Sequence, residues 1–142
     1  MSERLRDKVA LITRSTSNIG RAIAIRFAAE GASVVVTGRD AERGRAVVGA
    51  IQAAGGEATF LPHELDGSVE RSRQLAELAT TVYGSIEILV NNAGIYPPGG
   101  TLVIDGDTFD RIIAVNVKAP YFLTAALVPA MAANGRGVVL NL

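Results

Sequence analysis

Five short apolar runs, alternating with segments of helical period, constrain the fold of this chain more than any other feature. Lys8–Thr13, Ser33–Thr37, Glu57–Pro62, Ile86–Val90 and Gly137–Leu142 read as strands, and Val34-Val35-Val36 is β-branched throughout. Between them, Asn18–Glu30, Ala41–Ala54, Ser68–Tyr83 and Thr108–Asn134 read as helices, the last as one long helix or two joined. Gly31, Gly55-Gly56 and Gly135 supply the stops, and Asp40 a cap. Ile19, Ile23 and Phe27 recur on one face of the first helix; Leu75, Leu78 and Val82 line one stripe of the third. Continuous apolar strands joined by helical crossovers give an α/β, doubly wound parallel sheet covered on both faces. The right hand of such crossovers leaves few strand orders. The order 3-2-1-4-5 is expected, in a single domain over residues 1–142 that is truncated after strand 5. Ligands of such sheets bind beyond the carboxyl ends of the strands, where the order reverses. The loops after strands 1 to 4 should therefore surround one crevice.

Composition narrows what the crevice can serve. With 49% apolar and 20% charged residues, the chain has the balance of a folded domain. The 14 Lys and Arg are matched by 14 Asp and Glu, so no polybasic face points to nucleic acid or a membrane surface. Without cysteine there is neither a disulfide framework nor a thiolate metal site, and a reducing, cytoplasmic setting is the simplest expectation. The charged N-terminus lacks the apolar core of a signal peptide. The longest apolar run, Ala125–Ala133, contains Pro129 and is too short to span a bilayer. No His, Asp or Glu cluster has metal-ligand spacing, and the lone His63 reads as a surface or loop histidine.

Three stretches carry chemistry. Thr13-Arg14-Ser15-Thr16-Ser17-Asn18-Ile19-Gly20 joins the first strand to a helix N-terminus, where free N–H groups and the helix dipole favour an anion. Taken alone it is either a phosphate loop or a polar connection whose Ser15, Thr16, Ser17 and Asn18 cap the helix. Strand 2 ends in Gly38-Arg39, where an NAD site usually places an acidic residue. A guanidinium there suits a 2′-phosphate by charge and fork geometry; the alternative is a solvated surface arginine. Strand 4 runs into Asn91-Asn92-Ala93-Gly94. Two side-chain amides can tie down neighbouring strand ends, while Ala and Gly leave room for a flat ligand.

Asn91–Gly94 after an apolar strand, with Val115-Asn116-Val117 in the next helix, makes the chain resemble the N-terminal part of a short-chain dehydrogenase/reductase over Lys8–Leu142. That family comprises NAD(P)-dependent oxidoreductases with a single Rossmann domain. The resemblance implies that Thr13, Arg14, Ser15, Asn18, Ile19 and Gly20 form the cofactor loop. It implies that Asn92, Ala93 and Gly94 lie beside the adenine side of the cofactor, and that Asp66 faces the adenine ring. Asn116 would kink the long helix and anchor a water of the proton relay. Gly38 and Arg39 resemble the arrangement of NADP(H)-preferring members, so NADP(H) is expected over NAD(H).

The departures from the family are equally specific. Its loop reads Thr-Gly-x-x-x-Gly-x-Gly, and here Arg14 and Asn18 stand at the first two glycine positions. The family's serine and Tyr-x-x-x-Lys follow the fifth strand and are not among these residues; Tyr83, Tyr96 and Tyr121 have Glu87, Gly100 and Ala125 four positions on. Two functions are therefore expected as alternatives. One is a portion of an NADP(H)-dependent oxidoreductase that passes hydride between nicotinamide and a small carbonyl or alcohol substrate, inactive as 142 residues alone. The other is a non-catalytic truncated module that holds nucleotide weakly or acts through oligomerisation. Phe109, Ile112, Ile113, Tyr121, Phe122 and Val128 of the long helix are either core or interface. Family members pair through this helix, which implies a homo-oligomer. Strand 5, left as an uncovered edge, adds the expectation of an oligomeric or poorly stable chain.

Overall fold

The computed structural model describes residues 3–142. In chain order the elements are β1 (Val9–Ile12), α1 (Asn18–Ala29), β2 (Ser33–Gly38), α2 (Ala41–Ala53), β3 (Glu57–Pro62) and α3 (Val69–Tyr83). They continue with β4 (Ile88–Asn91), α4 (Gly106–Ile113), a π-helical turn (Ala114–Lys118), α5 (Ala119–Ala133) and β5 (Val138–Asn141). The strands make one parallel sheet in the expected order β3-β2-β1-β4-β5. Because β1 pairs with both β2 and β4, the chain crosses over in opposite directions on its two sides. The carboxyl end of β1 is thus the switch point, and Ile12 lies level with Val36 and Val90 there.

Both faces of the sheet are covered, which is why the strands read as unbroken apolar runs. Ala10, Ile12, Val34, Val36, Ile88 and Val90 pack under α1 and α2. Their neighbours Leu11, Val35 and Leu89 point the other way, against Leu75 and Ala79 of α3 and Leu123, Leu127 and Met131 of α5. The helix boundaries follow local chemistry. Gly31 turns the chain at φ 94° after α1. Asp40, Ser68 and Asp105 accept the amide hydrogens of Arg43, Arg71 and Thr108 at 3.0, 3.2 and 2.8 Å, capping α2, α3 and α4.

Two sequence stripes are only partly the buried ones. In α1 the fully buried face is Gly20, Ala24 and Ala28, while Ile19 is 64% exposed and Ile23 and Phe27 pack at its flank. In α3 the buried face is Ser72, Leu75, Ala76 and Ala79, and Leu78 is exposed. Each helix lies close to its neighbours, so small residues take the contact line and larger ones splay to the sides.

α4, the π turn and α5 run on as one helix, Gly106–Ala133, which by length and hydropathy could cross a membrane. The shorter run Ala125–Ala133 understates this, because isolated polar residues interrupt the apolar sequence without interrupting the helix. In this fold its inner residues Ala119, Leu123, Leu127 and Met131 belong to the core. Phe109, Ile113, Tyr121 and Val128 are exposed on the outside.

Candidate functional site

The site is built where the β1, β2, β3 and β4 loops converge. Thr13 is its internal bracket. Its hydroxyl accepts the amide hydrogens of Asn92 and Ala93 at 2.9 and 2.8 Å and lies 3.4 Å from the Val90 carbonyl. Asn92 answers from the other side, its Nδ2 donating to the carbonyls of Thr13 and Arg14 at 3.2 and 3.1 Å. Asn91 Nδ2 donates to Asn141 Oδ1 at 2.8 Å, while Asn91 Oδ1 is buried with no donor among the described residues. The paired amides therefore do tie down neighbouring strand ends, Asn92 toward β1 and Asn91 toward β5.

The loop Thr13–Gly20 keeps the backbone of a glycine loop without two of its glycines. Arg14 has φ 49° and Asn18 φ 47°, both left-handed. Asn tolerates that region, whereas for Arg14 it costs about 1–2 kcal/mol. The Arg14 guanidinium reaches over to donate to the Gly94 carbonyl, joining the loops after β1 and β4. Gly20 has no such latitude. A Cβ there would meet the Arg14 carbonyl, lie 2.5 Å from Asn92 Nδ2 and lie 2.9 Å from Ser15 Cα. Gly38 likewise admits Thr16, whose Cγ2 would sit 2.6 Å from an added Cβ.

The hydroxyls of this loop do not cap α1. Ser15 is buried; its Oγ donates to the Ile12 carbonyl at 2.7 Å and accepts from the Thr37 amide at 3.0 Å, stitching β1 to β2. Ser17, at the N-cap, makes no side-chain hydrogen bond to the helix, and the first turn has no acidic residue. The amides that open α1 thus carry no side-chain cap, an arrangement that fits an anion. Such a helix end suits a diphosphate, while the space a Cβ would fill at Gly20 and Gly38 is taken by Arg14, Ser15, Asn92 and Thr16 of the protein itself.

Toward β2 and β3, Arg39 is exposed and pairs with Glu64 Oε1 at 3.3 Å. Asp66 Oδ1 accepts the Ser68 amide hydrogen at 2.8 Å, and Ser68 holds the Asp66 carboxyl below its ordinary pKa. His63, read as a surface or loop histidine, lies in the loop after β3 but is buried there. Its amide continues the ladder to the Gly38 carbonyl at 3.1 Å, and its Nε2–H donates to the Arg71 carbonyl at 2.8 Å. Desolvation pushes its pKa below the ordinary value and keeps the ring neutral.

Asn116 lies in the π turn, where the long helix departs from α geometry as a kink at this position requires. Its Oδ1 accepts from the Ile95 amide at 2.7 Å and its Nδ2 donates to the Ile95 carbonyl at 2.9 Å. Both side-chain atoms hold the segment after Gly94. Oδ1 keeps a second lone pair and Nδ2 a second hydrogen, so the amide retains capacity for a water.

Two clefts result. One of about 280 Å³ is lined by Thr13, Arg14, Gly38, Arg39, Asp66 and Gly94, together with His63, Glu64 and Arg111. The other, of about 580 Å³, lies over the ends of β4 and β5 between Asn91, Tyr96, Asn116, Tyr121 and Asn141. Ala93 borders both, so the two clefts adjoin at that residue. Glu64 and Arg111 were absent from the sequence reading. Glu64 was detectable, since it lies two residues before Asp66 in extended chain and so shares its side; Arg111 reaches the cleft from α4, and no local signal announces it. Among the described residues no group of His, Asp and Glu could hold a metal ion.

Comparison with known proteins places this architecture. The profile of the short chain dehydrogenase family matches residues 8–142. An uncharacterized oxidoreductase of Thermotoga maritima is 38% identical over 134 residues, 94% of this chain and 52% of its own length. A metagenomic short-chain oxidoreductase solved in complex with NADP superposes with a TM-score of 0.90 at 41% identity, covering 97% of this chain and 62% of that one. A 7 alpha-hydroxysteroid dehydrogenase complexed with NADH and 7-oxo glycochenodeoxycholic acid superposes with a TM-score of 0.92 at 37% identity, covering 99% and 55%. The chain spans about half the length of the curated relatives it matches.

Proposed function

The chain belongs to the short-chain dehydrogenase family, of which it carries the N-terminal Rossmann portion, and from that premise we propose that it is the nucleotide-binding part of an NADP(H)-dependent oxidoreductase. The observation that carries the choice of cofactor is Arg39. It stands at the carboxyl end of β2, exposed, with its guanidinium held among the described residues by the exposed carboxylate of Glu64. A 2′-phosphate there gains a charge-assisted, fork-shaped contact that a bare ribose hydroxyl does not. Solved relatives hold NADP in one case and NADH in another, so the residue at this position, rather than kinship, decides.

In this reading the first amides of α1, with Gly20 beneath them, hold the diphosphate. Asp66 lies toward the adenine, and Ala93 and Gly94 give the flat rings room. Asn116 is a positioning residue: by gripping the Ile95 backbone it sets part of the wall of the smaller cleft, which Ile95 lines. The nicotinamide supplies the hydride chemistry, and the protein supplies binding and orientation. The proton-transfer residues expected of the family are not among these 142 residues, so the chain by itself holds cofactor without turning over a carbonyl or alcohol substrate. The exposed Phe109, Ile113, Tyr121 and Val128 serve a homo-oligomer, and the setting is cytoplasmic.

The second reading, a non-catalytic module with little affinity for nucleotide, draws on one observation. Arg14 stands at a left-handed glycine position with its side chain across the crevice. Calorimetric titration of the chain with NADPH and NADH separates the two. Saturable binding that favours NADPH supports the first; heat of dilution alone for both supports the second.

A further inference from the structure

We propose that Arg14 is a bar across the nucleotide crevice, which a 2′-phosphorylated nucleotide can draw aside and an unphosphorylated one cannot; the inference rests on the NADP(H) reading above and adds a gate to it. Three observations converge. The first is conformation. Among the described residues only Asp7, Arg14 and Asn18 are non-glycine residues with positive φ. Asp and Asn are the residue types that visit this region readily. Arg14 is not, so its backbone follows the loop while its side chain is left to be accommodated elsewhere.

The second is reach. The Arg14 guanidinium donates to the Gly94 carbonyl, 80 positions along the chain. It thereby joins the loop after β1 to the loop after β4, on opposite sides of the switch point. Arg14, Ala93 and Gly94 line the same cleft, so a nucleotide seated there lies against that contact.

The third is what holds the bar. The acceptor is a neutral carbonyl, and no ion pair involving Arg14 occurs among the described residues. Yet Arg14 lines the same cleft of about 280 Å³ as Arg39. A guanidinium exchanges a carbonyl for a phosphate favourably, because the acceptor is then charged as well and the contact can become bidentate. A phosphorylated ribose seated on Arg39 thus offers Arg14 a better acceptor inside the cleft it already borders. A ribose with free hydroxyls offers none, and displacing the bar then goes uncompensated. Arg14 therefore raises selectivity chiefly by penalising the wrong nucleotide, a repulsive element added to the attractive one at Arg39.

The test is calorimetric titration of the chain and of Arg14→Gly and Arg14→Gln with NADPH, NADH, 2′,5′-ADP and 5′-AMP. Arg14→Gly restores the residue that this backbone favours, so folding is not at risk. It should bind NADH and 5′-AMP at least fivefold more tightly than the unsubstituted chain, and its preference for the 2′-phosphorylated partner should shrink at least tenfold. Arg14→Gln keeps an amide donor for Gly94 but no charge. It should bind NADH as weakly as the unsubstituted chain while losing affinity for NADPH. Equal changes in Arg14→Gly for phosphorylated and unphosphorylated ligands, or none, overturn the bar. Arg39→Asp separates this failure from failure of the parent reading. If Arg39→Asp abolishes the NADPH preference but Arg14→Gly leaves NADH binding unchanged, the gate alone is wrong. If no variant binds NADPH, the NADP(H) reading falls and takes the gate with it.

Discussion

Substituting alanine at Gly20 tests how tightly the crevice loop is pressed against α1. The added Cβ would meet the Arg14 carbonyl, lie 2.5 Å from Asn92 Nδ2 and lie 2.9 Å from Ser15 Cα. Two of these neighbours are backbone, so relief requires moving the loop or surrendering the Asn92 amide. Overpacking of this kind costs about 1–3 kcal/mol, and losing one Asn92 hydrogen bond costs about 1 kcal/mol more. The helix propensity of alanine returns about 1 kcal/mol. The net loss is about 1–3 kcal/mol, which for a chain of this size lowers Tm by roughly 4–12 °C. Gly49→Ala is the control. Gly49 lies inside α2 with nothing within 4 Å of an added Cβ. The same substitution there should stabilise by about 0.5–1 kcal/mol. Thermal and urea unfolding followed by circular dichroism give both values. If Gly20→Ala were neutral or stabilising alongside Gly49→Ala, the loop would not be packed against α1 as described.

Thr13→Val keeps shape but removes the acceptor shared by the Asn92 and Ala93 amides; it should lower stability by about 1–3 kcal/mol in urea unfolding, with Thr13→Ser largely spared. His63 predicts a pH dependence. Its folded pKa lies below the unfolded value of 6.5, so its contribution is complete above pH 6.5 and is lost as pH falls through the folded pKa, because the unfolded chain takes the proton first. Urea midpoints between pH 7.5 and pH 5 should fall in the parent chain and flatten in His63→Gln. Asn116→Ala should speed hydrogen exchange at the Ile95 amide, whose acceptor is Asn116 Oδ1; unchanged exchange there would contradict the positioning role.

The strand order was legible because covering both faces of a parallel sheet leaves continuous apolar runs, and right-handed crossovers leave little choice of order. Helix termini were legible where capping chemistry is local, at Gly31, Asp40 and Ser68. The buried face of α1 was not, because a large residue such as Ile19 carries more hydrophobic signal than Gly20 or Ala24, while close approach to the sheet selects the small ones. His63 was legible as a loop residue but not as a buried one, because its ring meets the Arg71 carbonyl of α3, a contact no local pattern announces. At the site, Asn91–Gly94, Asp66 and Asn116 could be located from sequence. The contact from Arg14 to Gly94 could not, since it joins residues 80 positions apart whose meeting depends on the sheet order.

The central claim is that Arg39 selects a 2′-phosphorylated cofactor, and paired calorimetric titrations of the chain and its Arg39→Asp variant with NADPH and NADH test it most directly. A charge-assisted contact of about 1.5–3 kcal/mol corresponds to a preference for NADPH of roughly ten- to a hundredfold. The account predicts that preference in the unsubstituted chain and its loss or reversal in Arg39→Asp. Equal affinity for the two cofactors, or a preference that survives Arg39→Asp, would contradict it.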